Sequence, residues 1–149
     1  LRHDERFSYA LKSGIVNSIT LISHFDFTAS VPEGLTIYVP DEMRNLQEQD
    51  VNLLDEEFFR RADKMLESEF LSTKLQAIPD KPYILDIDLD YFITKRSLHP
   101  ERPEFFAGLM QHAEFITFSM EREWVKILSR PEDRLNSEYI LQQLMNMIA

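Results

Sequence analysis

Apolar positions along the chain follow two rhythms. Short runs rich in β-branched and aromatic residues, bounded by polar residues or Pro, predict strands over 18–22, 83–89 and 115–120. A weaker strand is predicted over 35–39, closed by Pro40. Between them, apolar residues three or four apart predict helices over 5–12 ending at Gly14, 55–76 ending before Pro79, 104–112 and 137–148. The longest of these carries Leu54, Phe58, Ala62, Met65, Leu66 and Leu75 on one side, with Arg60, Arg61, Lys64, Glu67 and Glu69 largely between them. That pattern is expected of a layer helix with one solvent edge, its Met and aromatic stripe serving as core packing. Strands alternating with helices predict an α/β fold with a mostly parallel sheet, whose ligands sit beyond the carboxyl ends of the strands.

Length and composition change this picture little. The 149 residues are 44% apolar, which suits a single domain over 1–149 with a filled core and excludes a disordered or linker-rich chain. No repeat, low-complexity tract or linker divides it. The first residue is Leu1 and not Met, as expected of a fragment or a processed product. Charge says more: 16 Lys and Arg against 26 Asp and Glu leave a formal charge of −10. With no basic patch to override that total, neither nucleic acid nor an anionic membrane is an expected partner.

Cys is absent, which removes disulfides, thiolate metal sites and a Cys nucleophile together and fits a reducing, cytoplasmic location. Any metal must use His and carboxylate. The three glycines, Gly14, Gly34 and Gly108, form no phosphate-binding loop. No apolar run is long enough for a membrane span, and no signal peptide is recognisable.

The most unusual stretch is Tyr83-Ile84-Leu85-Asp86-Ile87-Asp88-Leu89-Asp90-Tyr91-Phe92. Strand alternation puts Asp86, Asp88 and Asp90 on one face and apolar residues on the other. Carboxylates crowded in this way call for a cation, the alternative being an edge strand with a solvated acidic face. An EF-hand loop counted from Asp86 fails, because Tyr91 and Ser97 stand where Gly and Glu are needed. A phosphatase of the haloacid dehalogenase class matches poorly, because Leu89 and Asp90 follow the Asp-x-Asp.

The same segment, Ile-Leu-Asp-Ile-Asp-Leu-Asp-Tyr-Phe, resembles the strand-end signature of an arginase-like (ureohydrolase-fold) family that includes the peptide arginases. Three further stretches fall in the order of that family: His3-Asp4-Glu5, His24-Phe25-Asp26 after an apolar strand, and Ile116-Thr117-Phe118-Ser119 followed by Glu123. The resemblance implies a three-layer α/β/α fold of the arginase/deacetylase type. It also implies Mn²⁺, as a binuclear pair, with His3, Asp26, Asp86 and Asp88 as ligands. The implied reaction is hydrolysis of a guanidinium C–N bond with release of urea, turning arginine in a peptide into ornithine; the implied partner is an arginine-containing peptide or a small guanidino substrate. Thr28 and Ser30 stand where the resemblance asks for a ligand His and a ligand Asp. A non-catalytic domain that keeps the fold and binds peptide or protein partners is therefore the competing expectation.

The remaining candidates have ordinary readings beside the functional one. Asp26 could cap a helix or close a turn. His3 is close enough to the start of the chain to be a frayed surface residue. His24 is expected behind the ligands or in the core, and His99 and His112 on the surface. Glu123 offers a carboxylate that matches the planar fork of a guanidinium, or else is a solvated helix-start residue. Trp124 is core or flanks a peptide substrate.

Overall fold

The computed structural model describes residues 3–24, 31–39 and 54–148, with side chains from residue 6 onward. The chain divides into two compact units, Leu1–Asn52 and Leu53–Ala149. The described residues form a mixed α/β structure with six α-helices and two parallel strand pairs. No helix among them is long and apolar enough to cross a membrane.

In the first unit, α1 (His3–Lys12) leads into β1 (Ile19–Ile22), which pairs in parallel with β2 (Leu35–Tyr38), Ile19 opposite Leu35 and Ile22 opposite Tyr38. As the sequence predicts, α1 gives way at Gly14, whose φ of +69° is the left-handed conformation that glycine adopts freely. Gly34, at φ +90°, turns the chain into β2, and its carbonyl accepts from the Ile19 amide at 2.9 Å. A Cβ at Gly34 would come within 3.0 Å of Leu11 Cδ2. Leu11 and the turn therefore pack directly.

The second unit opens with α2 (Glu56–Ala62), whose N-cap Asp55 accepts from the Phe58 amide at 2.9 Å, and α3 (Ser68–Leu75). The sequence predicts one helix here, and the structure breaks it between Ala62 and Ser68. The Lys64 and Met65 amides turn back three residues, to the carbonyls of Arg61 and Ala62. Glu67 then leaves the helical path and spends its carboxylate on the Glu101 and Arg102 amides at 2.8 and 2.9 Å. The Ser68 amide and hydroxyl both donate to the Arg102 carbonyl, at 2.8 and 2.6 Å. Tertiary hydrogen bonds to the 101–102 loop outweigh local helix propensity, and the break leaves Met65 and Leu66 both buried.

Next, β3 (Ile84–Asp88) pairs in parallel with β4 (Phe115–Ser119), the crossover being made by α4 (Glu104–His112). The Tyr83 hydroxyl ties the start of β3 to α4 by donating to the Leu109 carbonyl at 2.6 Å. After β4 comes α5 (Arg122–Leu128), which apolar periodicity does not mark but which agrees with the helix-start reading of Glu123, and then α6 (Ser137–Ile148). On α6, Ser137, Ile140 and Leu144 recur every three or four residues and are buried, as a core-facing stripe should be. The core they join includes Phe92, Ile93 and Leu98, in the irregular stretch after β3.

That stretch is held by buried polar contacts. Thr94 donates its hydroxyl to Asp63 Oδ1 and accepts from the Ser97 amide, while the Ser97 hydroxyl donates to the Thr94 carbonyl. The Tyr91 hydroxyl donates to the Met65 carbonyl at 3.2 Å, and its ring meets Phe92 edge-on. The Tyr91 ring is only partly covered, but its hydroxyl lies in the interior, and burial pushes its pKa well above the ordinary phenol value. The unfolded chain releases this proton near pH ~10 and the folded chain does not. The stability Tyr91 lends is therefore intact below that pH and is lost as pH rises toward the folded-state value. We predict that urea unfolding midpoints fall above about pH 10 and that Tyr91→Phe makes the fall shallower. Equal slopes in both proteins would contradict this account of Tyr91.

Candidate functional site

The register of β3 and β4 builds a two-column face. Ile84 lies opposite Phe115, Asp86 opposite Thr117 and Asp88 opposite Ser119, so two carboxylates on β3 run beside two hydroxyl residues on β4. The other face carries Leu85, Ile87, Ile116 and Phe118, and Ile87 is buried in the core. Ile84, Asp86, Phe115 and Thr117 are exposed, while Asp88 and Ser119 are half-buried at the carboxyl end.

Within this face the Thr117 hydroxyl donates to Asp86 Oδ1 at 2.5 Å. A hydroxyl next to a carboxylate can only donate, so it orients the carboxylate without adding charge. The sequence holds the signal in Thr117-x-Ser119 beside Asp86-x-Asp88, but it becomes legible only once the strands are known to pair in this register. Thr117 is the residue that motif reading missed.

Both strands lead from this end into tight structure. After Asp88 the chain enters a 3₁₀ turn, Leu89–Tyr91, so Asp90 is not on the strand with the other two carboxylates. The expected row of three strand carboxylates is thus a row of two. After Ser119 the chain passes through Glu121, which takes the left-handed conformation at φ +42°, a cost of roughly 1–2 kcal/mol for a residue with a Cβ. The Glu121 carbonyl then accepts from the Val125 amide at 2.9 Å to begin α5, which packs against the Leu89–Tyr91 turn.

Glu123 lies in the first turn of α5, its side chain 80% exposed and paired with Lys126 Nζ at 3.2 Å. Next to it Arg122 Nε donates to Glu138 at 2.9 Å, joining the first turns of α5 and α6 and holding the Glu138 carboxyl below its usual range. Trp124 is half-buried.

The other candidates are placed as follows. His3 begins α1, but its side chain lies outside the described residues, and so do Asp26, Thr28 and Ser30 entirely. His24 is buried just beyond β1, in keeping with a core position. His99 is exposed, and His112 sits at the exposed end of α4 with Nδ1 2.8 Å from the Gly108 carbonyl. Among the described residues no three His, Cys, Asp or Glu side chains gather into a group that could hold a metal ion. Asp86 and Asp88 are the predicted ligands whose side chains are described. Searches against family models, curated proteins and solved structures found no match to this chain.

Proposed function

We propose that the chain is a metal-dependent hydrolase of the arginase type, with a three-layer α/β/α fold, that converts arginine in a peptide to ornithine and releases urea. The observation that carries this reading is the pair Asp86 and Asp88 on one face of a parallel strand pair, running to its carboxyl end. Active sites of α/β proteins lie beyond that end. The donor chemistry fits the implied metal, since carboxylate oxygens suit Mn²⁺ better than they suit thiol-seeking ions.

In this reading Asp86 and Asp88 would hold the cation. Bound Mn²⁺ supplies the Lewis acidity that makes water reactive near neutral pH. The protein's part is to bind and orient. The two oxygens of Glu123 match the N–H fork of a guanidinium, provided that Glu123 exchanges Lys126 for the substrate. Water adds to the guanidinium carbon, and the bond from that carbon to the side-chain nitrogen breaks. The nitrogen leaves with the ornithine side chain as a protonated amine, and urea carries the water oxygen. A formal charge of −10 favours the approach of a cationic substrate.

A second reading rests on Thr28 and Ser30, which offer a dication far less than the His and Asp that the resemblance asks for. Under it the chain keeps the fold and binds peptides without hydrolysing them.

Mass spectrometry of an arginine-containing peptide incubated with the protein and Mn²⁺ should show the loss of CH₂N₂, and a chelator should prevent it. Asp86→Ala and Asp88→Ala should remove both the metal and the reaction, whereas His99→Ala and His112→Ala should leave metal content unchanged. Glu123→Ala should keep the metal and lose the reaction. Unchanged metal in both Asp variants would strike those residues from the ligand set. A metal-free, inactive wild type whose Thr28→His/Ser30→Asp variant gains metal would establish the non-catalytic reading.

A further inference from the structure

We infer that the groove between α3 and the start of α4 is a binding site for a small zwitterionic ligand with an apolar side chain, of amino-acid or dipeptide size. The groove has a volume of ≈ 670 Å³, within the range of small-molecule sites, and Glu69, Arg102, Ile78 and Phe105 are among the residues that line it. Among the described residues, neither the Glu69 carboxylate nor the Arg102 guanidinium makes a hydrogen bond or an ion pair, although both border this groove. Opposite charges in one groove that do not neutralise each other match a ligand carrying both. Its ammonium would meet Glu69, and its carboxylate the planar fork of Arg102. Glu104, the other carboxylate there, has Oε2 3.1 Å from the Ser68 hydroxyl. The half-buried side chains of Ile78 and Phe105 give the apolar part of the ligand a surface.

The frame of the groove is fixed by bonds that need no ligand. At Arg102 the amide donates to Glu67 Oε2 at 2.9 Å, and the carbonyl accepts from the Ser68 amide and hydroxyl at 2.8 and 2.6 Å. The Ser68 hydroxyl also accepts from the Phe105 amide at 3.0 Å, which joins α3 to α4. Ile78 is seated against Gly108 of α4, where an added Cβ would collide with Ile78 Cδ1. A frame held in this way loses little freedom on binding. The Glu69 and Arg102 side chains are exposed and must still be ordered by the ligand, so the expected affinity is weak, with Kd about 1 mM.

The test follows amide chemical shifts of the full chain by NMR as leucine or leucyl-leucine is added. Each is compared with its N-acetyl form, which lacks the ammonium, and with its C-terminal amide, which lacks the carboxylate. At least one of the free zwitterions should shift the amides of Ser68, Ser72, Ile78 and Phe105 saturably, and the tighter of the two fixes the size of the ligand. Both capped forms should bind about 10-fold more weakly. Arg102→Gln should lower the affinity of the free zwitterion to that of its amide, and Glu69→Gln to that of its N-acetyl form. Neither side chain is bonded within the fold, so both variants should keep the wild-type spectrum outside the groove.

The absence of a saturable shift at these amides with either zwitterion would overturn the inference. So would capped forms that bind as tightly as the free ones, a comparison made on the wild-type protein and independent of how the variants fold. Wild-type affinity in both folded variants would overturn it as well.

Discussion

The pairing register of β3 and β4 is the constraint on which the rest of the second unit depends. Side chains alternate with a period of two, so a slip of one residue would send Asp86 and Asp88 toward the core and Ile87 into solvent. The register is held from behind by buried Ile87 and, at the start of β3, by the Tyr83 bond to the Leu109 carbonyl and the Glu114 amide bond to the Tyr83 carbonyl. Apolar burial on one face thus fixes where carboxylates and hydroxyls stand on the other. The chemistry proposed for the open face is a consequence of packing on the closed one.

A second layer of order comes from polar groups inside the irregular segments. Asp63, Thr94 and Ser97 close on one another, Glu67 covers the Glu101 and Arg102 amides, and Asp133 accepts from the Lys95 amide at 2.8 Å. Each serves backbone or hydroxyl groups that would otherwise be costly to bury or leave loose. They keep the stretch after β3 in place although it has little regular structure. The Arg130 amide bond to the Ile93 carbonyl, with the Arg130 guanidinium stacked over Phe59, ties the same stretch to the segment after α5 and to α2.

Much of this was legible in the sequence where local pattern and tertiary context agree. The strands at Ile19–Ile22, Leu35–Tyr38, Ile84–Asp88 and Phe115–Ser119 fall within the predicted runs, and α4 and α6 end where the periodicity ends. The failures have physical causes. Residues 55–76 read as one helix because the bonds that break it come from Glu101 and Arg102, far away in sequence. The helix Arg122–Leu128 was anticipated only as a helix start at Glu123, because its seven residues stand alone and give too few turns for a period to emerge. Asp90 left the strand because the 3₁₀ turn at Leu89–Tyr91 begins one residue after Asp88. Of the candidate site, the acidic pair was visible in the sequence and Thr117 was not, because its importance lies in a partner across the sheet. Asp26 and the His3 side chain lie outside the described residues.

The central claim is that the face bearing Asp86 and Asp88 binds a divalent cation. Anomalous diffraction at the manganese edge, from crystals grown with Mn²⁺, tests it most directly. The account predicts a peak in contact with carboxylate oxygens of both Asp86 and Asp88, with Thr117 still bonded to the other oxygen of Asp86. A well-ordered β3–β4 face with no peak beside it, or a peak held by other residues alone, would contradict the claim.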